Sequence, residues 1–306
     1  MNNYIYNQKE GRLKTGWRIL IFVVFFWLLS ATIFLVRPLL GDITKREFLE
    51  NYSVVIISVL AASASIAVFI ARTKLDKLSW GSLGLQVDKR AYQDIVFGFF
   101  LSGFMAGLFF LVALLFNLIE FKGFNLGHAF KPEGQPFDFV TFMSVVSFGS
   151  MFILLVETIL VGYWEELVFR GYLLQNMIAG MGFRIAIIIS CLIYGLIHSM
   201  NPNATLVSSS IIVLFGYLRI HGYLKTNMLW LSMGMHIGWN FFQGPVFGFA
   251  ASGHKKAALV NQVSTGRDWL SGGEFGPEGS ILIVPILLIA LLVMDWWTRG
   301  RKSDAL

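Results

Sequence analysis

Eight stretches of this chain are apolar over roughly the thickness of a bilayer: residues 19–36, 52–71, 95–119, 140–161, 183–200, 204–223, 228–249 and 281–297. A helix needs about 20 apolar residues to cross hydrocarbon. There every backbone N–H and C=O must be satisfied within the segment or by a closed barrel. Barrel strands read as alternating polar and apolar segments of about ten residues, and none occur. Of the 306 residues, 56% are hydrophobic and 14% charged, too apolar for a soluble domain. The expected fold is therefore all-α, a polytopic integral membrane protein of about eight transmembrane helices.

Residues 1–18 are polar and basic. The run after them is too long for a secretory h-region and lacks a small-residue cleavage site, so it reads as a retained first span. With eight spans and both termini cytoplasmic, 16 Lys and Arg fall on the inner side and 8 on the outer, as the positive-inside rule demands. That placement accounts for the net charge of +6 without a nucleic-acid partner. Cys191 lies in an apolar run and reads as a small buried hydrophobe, and a single cysteine forms no internal disulfide. Three segments are expected: 1–138 with spans one to three, 139–249 with spans four to seven, and 250–306 with a Gly-rich loop and the last span. Residues 162–182 can end the fourth span, form a re-entrant piece, or make a helix of their own.

Ionisable side chains in hydrocarbon are costly and mark functional hypotheses. Glu165, Glu166 and Arg170 follow the fourth apolar run. Glu166 and Arg170 are four apart, on one helix face and able to pair. Glu165 sits about 100° around the helix from Glu166, free to point elsewhere. His198 ends the fifth run, and His236 and Asn240 share a face of the seventh. Each has a bland alternative. The acidic cluster could be a solvated helix end, a lone histidine is more often packed than catalytic, and Asn240 alone could be interhelical glue. Tyr217, Trp230 and Trp239 read as packing or anchoring residues. Glu157 is a further intramembrane carboxylate, protonated or paired, with no chemistry assigned. His221, His128 and His254 read as interfacial or solvated.

Taken together, three apolar segments supply a carboxylate and a histidine to activate water. They also supply a histidine and an amide to stabilise an oxyanion. Alternatively, Glu165, His198 and His236 could ligate zinc. No His-Glu-x-x-His occurs, which excludes the familiar zincin geometry.

The ordered motifs Glu165-Glu166-Leu167-Val168-Phe169-Arg170, Tyr194-x-x-x-His198 and His236-x-x-x-Asn240 resemble those of the CAAX-protease and bacteriocin-processing (CPBP) family. These are intramembrane endopeptidases related to the Ras-converting enzymes and the Abi proteins. The resemblance covers roughly residues 140–245. The family's second motif usually begins with Phe, and Tyr194 keeps the ring. Ser82-Leu83-Gly84-Leu85 and the Gly-Gly-x-Phe-Gly-Pro-Glu-Gly at 272–279 are similar to bacterial members. The resemblance implies a catalytic core of roughly four helices in a bacterial cytoplasmic membrane. It implies Glu165 as general base assisted by His198, His236 and Asn240 as oxyanion donors, and Arg170 orienting the site through Glu166. The expected partners are membrane lipid and a membrane-anchored protein or peptide substrate, with no cofactor and with zinc as the alternative. Two other functions compete. A non-catalytic binding or immunity protein need not keep Glu165, and a proton-coupled transporter would show two related halves, which the sequence lacks. The polar residues are expected to meet in one cavity open toward the inner face.

Overall fold

The computed structural model describes residues 4–40, 44, 48, 52–125 and 148–301. The expected start of the fourth span at Val140, His128 and Lys302 lie outside these. The described chain is mostly helical: α1 (Thr15–Ser30), α2 (Ser53–Ile70), α3 (Lys89–Leu115), α4 (Phe148–Glu166), α5 (Gln175–Met181), α6 (Phe183–His198), α7 (Leu206–Thr226), α8 (Trp230–Phe241) and α9 (Ile283–Trp297). Two small antiparallel pairs accompany them, β1 (Tyr6–Asn7) with β2 (Arg12–Leu13), and β3 (Ile119–Phe124) with β4 (Val260–Ser264).

Among the described residues, four helical runs are long and apolar enough to cross a membrane: Thr15–Leu39, Ser53–Leu75, Lys89–Leu115 and Leu206–Thr226. The remaining expected spans depart from that ideal for local reasons. Helices α6 and α9 are apolar but shorter. Asn201-Pro202 follows α6, and Pro cannot continue a helix. Regular α8 ends at Phe241 and passes into wider π-type turns over Phe242–Val246 that hold Pro245. Helix α7 begins with a reciprocal cap: the Ser208 amide donates to Thr205 Oγ1 at 3.1 Å and the Thr205 amide to Ser208 Oγ at 2.8 Å.

The stretch left open by the sequence is one continuous helical run. Helix α4 passes into π-type turns over Leu167–Leu174 and then into α5, ending at Gly182 with φ 84°. Such wide turns cluster at functional sites, and this one starts directly after the two glutamates.

Helix α8 is the central strut, with every residue from Leu231 to Trp239 buried. It crosses α3 at backbone contact. A Cβ on Gly234 would stand 2.2 Å from the Ile95 carbonyl oxygen, and one on Gly238 would stand 2.3 Å from that of Phe99. Small residues spaced by four allow this approach in lipid, and it fixes α8, with its His236 and Asn240, against a long spanning helix.

The helix ends gather at two faces. At one, Arg18 near the start of α1 donates to Asp76 after α2 at 2.6 Å, Leu229 before α8 donates to the Gly84 carbonyl at 2.9 Å, and Arg301 after α9 pairs with Asp94 on α3 at 2.7 Å. At the other lie Ser53 at the start of α2, the β3–β4 pair and the turn after α6, where Asn201 Nδ2 donates to the Ser252 carbonyl at 3.2 Å. Both described ends of the chain therefore share the first face.

Candidate active site

The last turn of α4 points the two glutamates in different directions, as the roughly 100° between adjacent helix positions requires. Glu166 turns into the core, where its side chain is 0% exposed. Its Oε1 accepts from Arg170 Nη1 at 3.1 Å and from His236 Nδ1 at 2.9 Å, and its Oε2 accepts from Ser232 Oγ. Arg219 Nε stands 4.0 Å away. Arg170 also donates to the Gly216 carbonyl at 3.2 Å and lies over the Tyr194 ring. Glu166 thus holds α4, α7 and α8 together through four partners. The sequence expectation gave it Arg170 alone, because His236, Ser232 and Arg219 are distant in sequence.

Glu165 faces a cavity. Its Oε2 accepts from the Tyr194 hydroxyl at 3.0 Å and lies 3.8 Å from His236 Nε2. His198 Nδ1 lies 2.9 Å from the Tyr194 carbonyl. A carbonyl only accepts, so Nδ1 carries a proton, and in the neutral ring Nε2 keeps its lone pair. The same logic at Glu166 puts a proton on His236 Nδ1 and aims Nε2 at Glu165. One cavity of about 1020 Å³ is lined by Glu165, His198, His236 and Asn240 together, with Tyr194 and Arg219. The four expected residues therefore meet. The expected opening toward the inner face and the expected cytoplasmic ends of the chain do not hold together. The exposed lining residues His254 and Lys255 and the start of α2 at Ser53 put the mouth at the face opposite the chain ends. The His198 end of α6 lies at that face, where Asn201 bonds the Ser252 carbonyl.

Several cavity residues have partners that the sequence did not reveal, and Arg219 and Glu278 were not singled out by sequence at all. Tyr194 does more than keep a ring, since Arg219 Nη1 donates to the same hydroxyl that donates to Glu165. Arg219 had a signal, a guanidinium inside an apolar run, but it was counted as a loop charge. Glu157 is paired, accepting from Lys256 and Ser53 at the cavity wall. His254 was expected to be interfacial or solvated. It is exposed and also lines the cavity, where burial and the Lys256 ammonium hold its imidazole below its usual pKa. Glu278 lines the cavity from the Gly-rich loop, almost fully buried. Cys191 is buried and free, as expected. Trp239 packs on Phe215 with ring centroids 4.9 Å apart, and His221 bonds Asp295 at 3.0 Å.

The zinc alternative can be tested on geometry. Glu166 does supply the carboxylate that a ligating His236 would need behind it. The expectation that Glu166 is committed to Arg170 therefore gives no argument against a metal. However, among the described residues no group of three or more His, Cys, Asp or Glu side chains is placed to hold a metal ion.

Residues 147–242 match a family model, Rce1-like, described as type II CAAX prenyl endopeptidase Rce1-like. This segment is an Rce1-like domain. It contains Glu165, Glu166, Arg170, His198, His236 and Asn240, and it agrees with the CPBP and Abi resemblance of the motifs. Rce1-like proteins are peptide hydrolases, and the chain is an enzyme of that class in an integral membrane protein. The match stops before the loop that carries His254, Lys256 and Glu278. A search of curated proteins finds no match to the chain.

Proposed function

We propose that this Rce1-like protein hydrolyses a peptide bond of a membrane-anchored protein or peptide inside the cavity, by water activation without a metal. The observation that carries this reading is the shared cavity. It joins a carboxylate held by a hydroxyl of α6, a histidine of the same helix and an amide of α8, with α8 tied to α4 through Glu166.

In the proposed reaction Glu165 accepts a proton from water while His198 Nε2 orients it. The water oxygen forms a bond to the scissile carbonyl carbon. Asn240 Nδ2 and the His236 ring stabilise the oxyanion. Collapse breaks the C–N bond, and Glu165 returns the proton to the leaving amine. Glu166 keeps the His236 ring aimed, and Arg170 and Arg219 balance the two carboxylates.

The core of this machinery is residues 139–249, and the eight helical runs are read as eight crossings. Lys9, Lys14, Lys74, Lys77, Lys89 and Arg299 lie at the face of the chain ends, which makes that face cytoplasmic by the positive-inside rule. The cavity then opens on the other side. Cys191 is buried, so single-cysteine labelling has a clean background. In right-side-out vesicles, Lys255→Cys should react with an impermeant maleimide and Lys9→Cys should react only after lysis. The reverse pattern would turn the topology over.

The metal-free reading predicts that purified protein dialysed against a strong chelator still cleaves a membrane-anchored test peptide, with zinc well below one per chain. Cleavage lost on dialysis and restored by zinc alone, with near one zinc bound, would instead support a metal-dependent site.

A further inference from the structure

We infer that Glu278, outside the matched domain, is a positioning residue that sets the spacing between His198 and the His236–Asn240 pair. The inference rests on the reading of the cavity as a hydrolytic site.

Glu278 sits in the Gly-rich turn before α9 with 1% of its surface exposed. The turn lies against the chain after α8, since a Cβ on Gly276, at φ 94°, would stand 1.9 Å from the Ala250 carbonyl oxygen. One carboxylate oxygen, Oε1, accepts from Trp239 Nε1 at 2.8 Å. The other, Oε2, accepts from the Ser252 amide at 2.9 Å and from Ser252 Oγ at 2.5 Å. All three donors are neutral. The Arg219 guanidinium lining the same cavity adds an electrostatic interaction but no hydrogen bond, so what the Glu278 carboxylate orients is its hydrogen-bond donors.

The partners say what is oriented. Trp239 precedes Asn240 and follows His236 by three residues, so its indole fixes the rotation of the part of α8 that carries both. The Ser252 carbonyl accepts from Asn201 Nδ2 at 3.2 Å, three residues after His198. The chain of contacts therefore runs from α8 through Trp239, Glu278, Ser252 and Asn201 to the end of α6. It brackets the cavity mouth and holds the two histidine-bearing helices at a set separation. It also fixes the loop that presents His254 and Lys256 to the cavity.

Glu278→Gln is a sharp probe, because an amide has one acceptor oxygen where the carboxylate has two. Its NH₂ must face either the indole N–H or the Ser252 donors. In Trp239→Phe/Glu278→Gln the opposed indole donor is gone, and the amide oxygen can serve Ser252. The test uses full-length protein in detergent, with a membrane-anchored test peptide as probe and amide hydrogen exchange as a second readout. Glu278→Gln should lower kcat about 100-fold, the scale of a small misplacement of catalytic groups, with little change in KM. Exchange should rise in 236–241 and 249–257 while α1 to α3 keep their protection. The double variant should regain at least part of the lost kcat. Unchanged kcat, exchange rising evenly across the helices, or a double variant worse than Glu278→Gln would overturn the inference. If wild-type protein does not cleave the probe, the hydrolytic reading fails, and the exchange pattern alone decides whether Glu278 brackets the two helices.

Discussion

Glu166→Gln is expected to cost the protein its folded state, through loss of an interaction on the order of 3–5 kcal/mol, the scale of breaking a buried ion pair by removing one member. The carboxylate is fully enclosed and accepts from Arg170, His236 and Ser232 at once. An amide offers one acceptor and adds two N–H groups that would point at donors. Arg170 and Arg219, both buried, would lose the anion that balances them. Elements α4, α7 and α8 meet at this one group, so the defect should spread beyond the site. The measurement is the yield of monodisperse protein from membranes and its thermal unfolding midpoint in detergent, against wild type. A variant that accumulates and melts like wild type would show that Glu166 is not the structural anchor.

Much of this was legible in the sequence, and the rest was not for identifiable reasons. Helix spacing alone separated Glu165 from Glu166 and paired Glu166 with Arg170, because those relations are local. The ordered motifs brought Glu165, His198, His236 and Asn240 to one site. The other partners of Glu166 were hidden, since Ser232 and Arg219 reach it only after three helices pack. Tyr194 read as a ring because its hydroxyl gains a role only between Arg219 and Glu165. Glu278 read as part of a loop signature, because nothing local shows that Trp239 and Ser252 converge on it. The eight apolar runs were plain from composition, yet α8 is cut short by the turns around Pro245. One relation was not legible: His198 ends its helix at the face away from the chain ends, so an inward-opening cavity and cytoplasmic chain ends are mutually exclusive.

The largest effect on activity is expected for Glu165→Gln, with stability left alone. Glu165 touches the cavity, its side chain is 12% exposed, and its one close hydrogen bond comes from the Tyr194 hydroxyl. A glutamine oxygen can accept that same bond, so no buried donor is stranded. What is lost is the proton acceptor. General-base catalysis contributes about 10²- to 10⁴-fold, and the cleavage rate should fall by that order. The contrast with Glu166→Gln is the point, because two neighbouring identical side chains should fail in opposite ways.

The most direct measurement is therefore single-turnover cleavage of a membrane-anchored test peptide by purified wild-type and Glu165→Gln protein in liposomes, with products identified by mass. The account predicts one discrete cleavage product with wild type, and a loss of about 10²-fold or more with the variant at equal yield and unfolding midpoint. Cleavage by Glu165→Gln at the wild-type rate would contradict it.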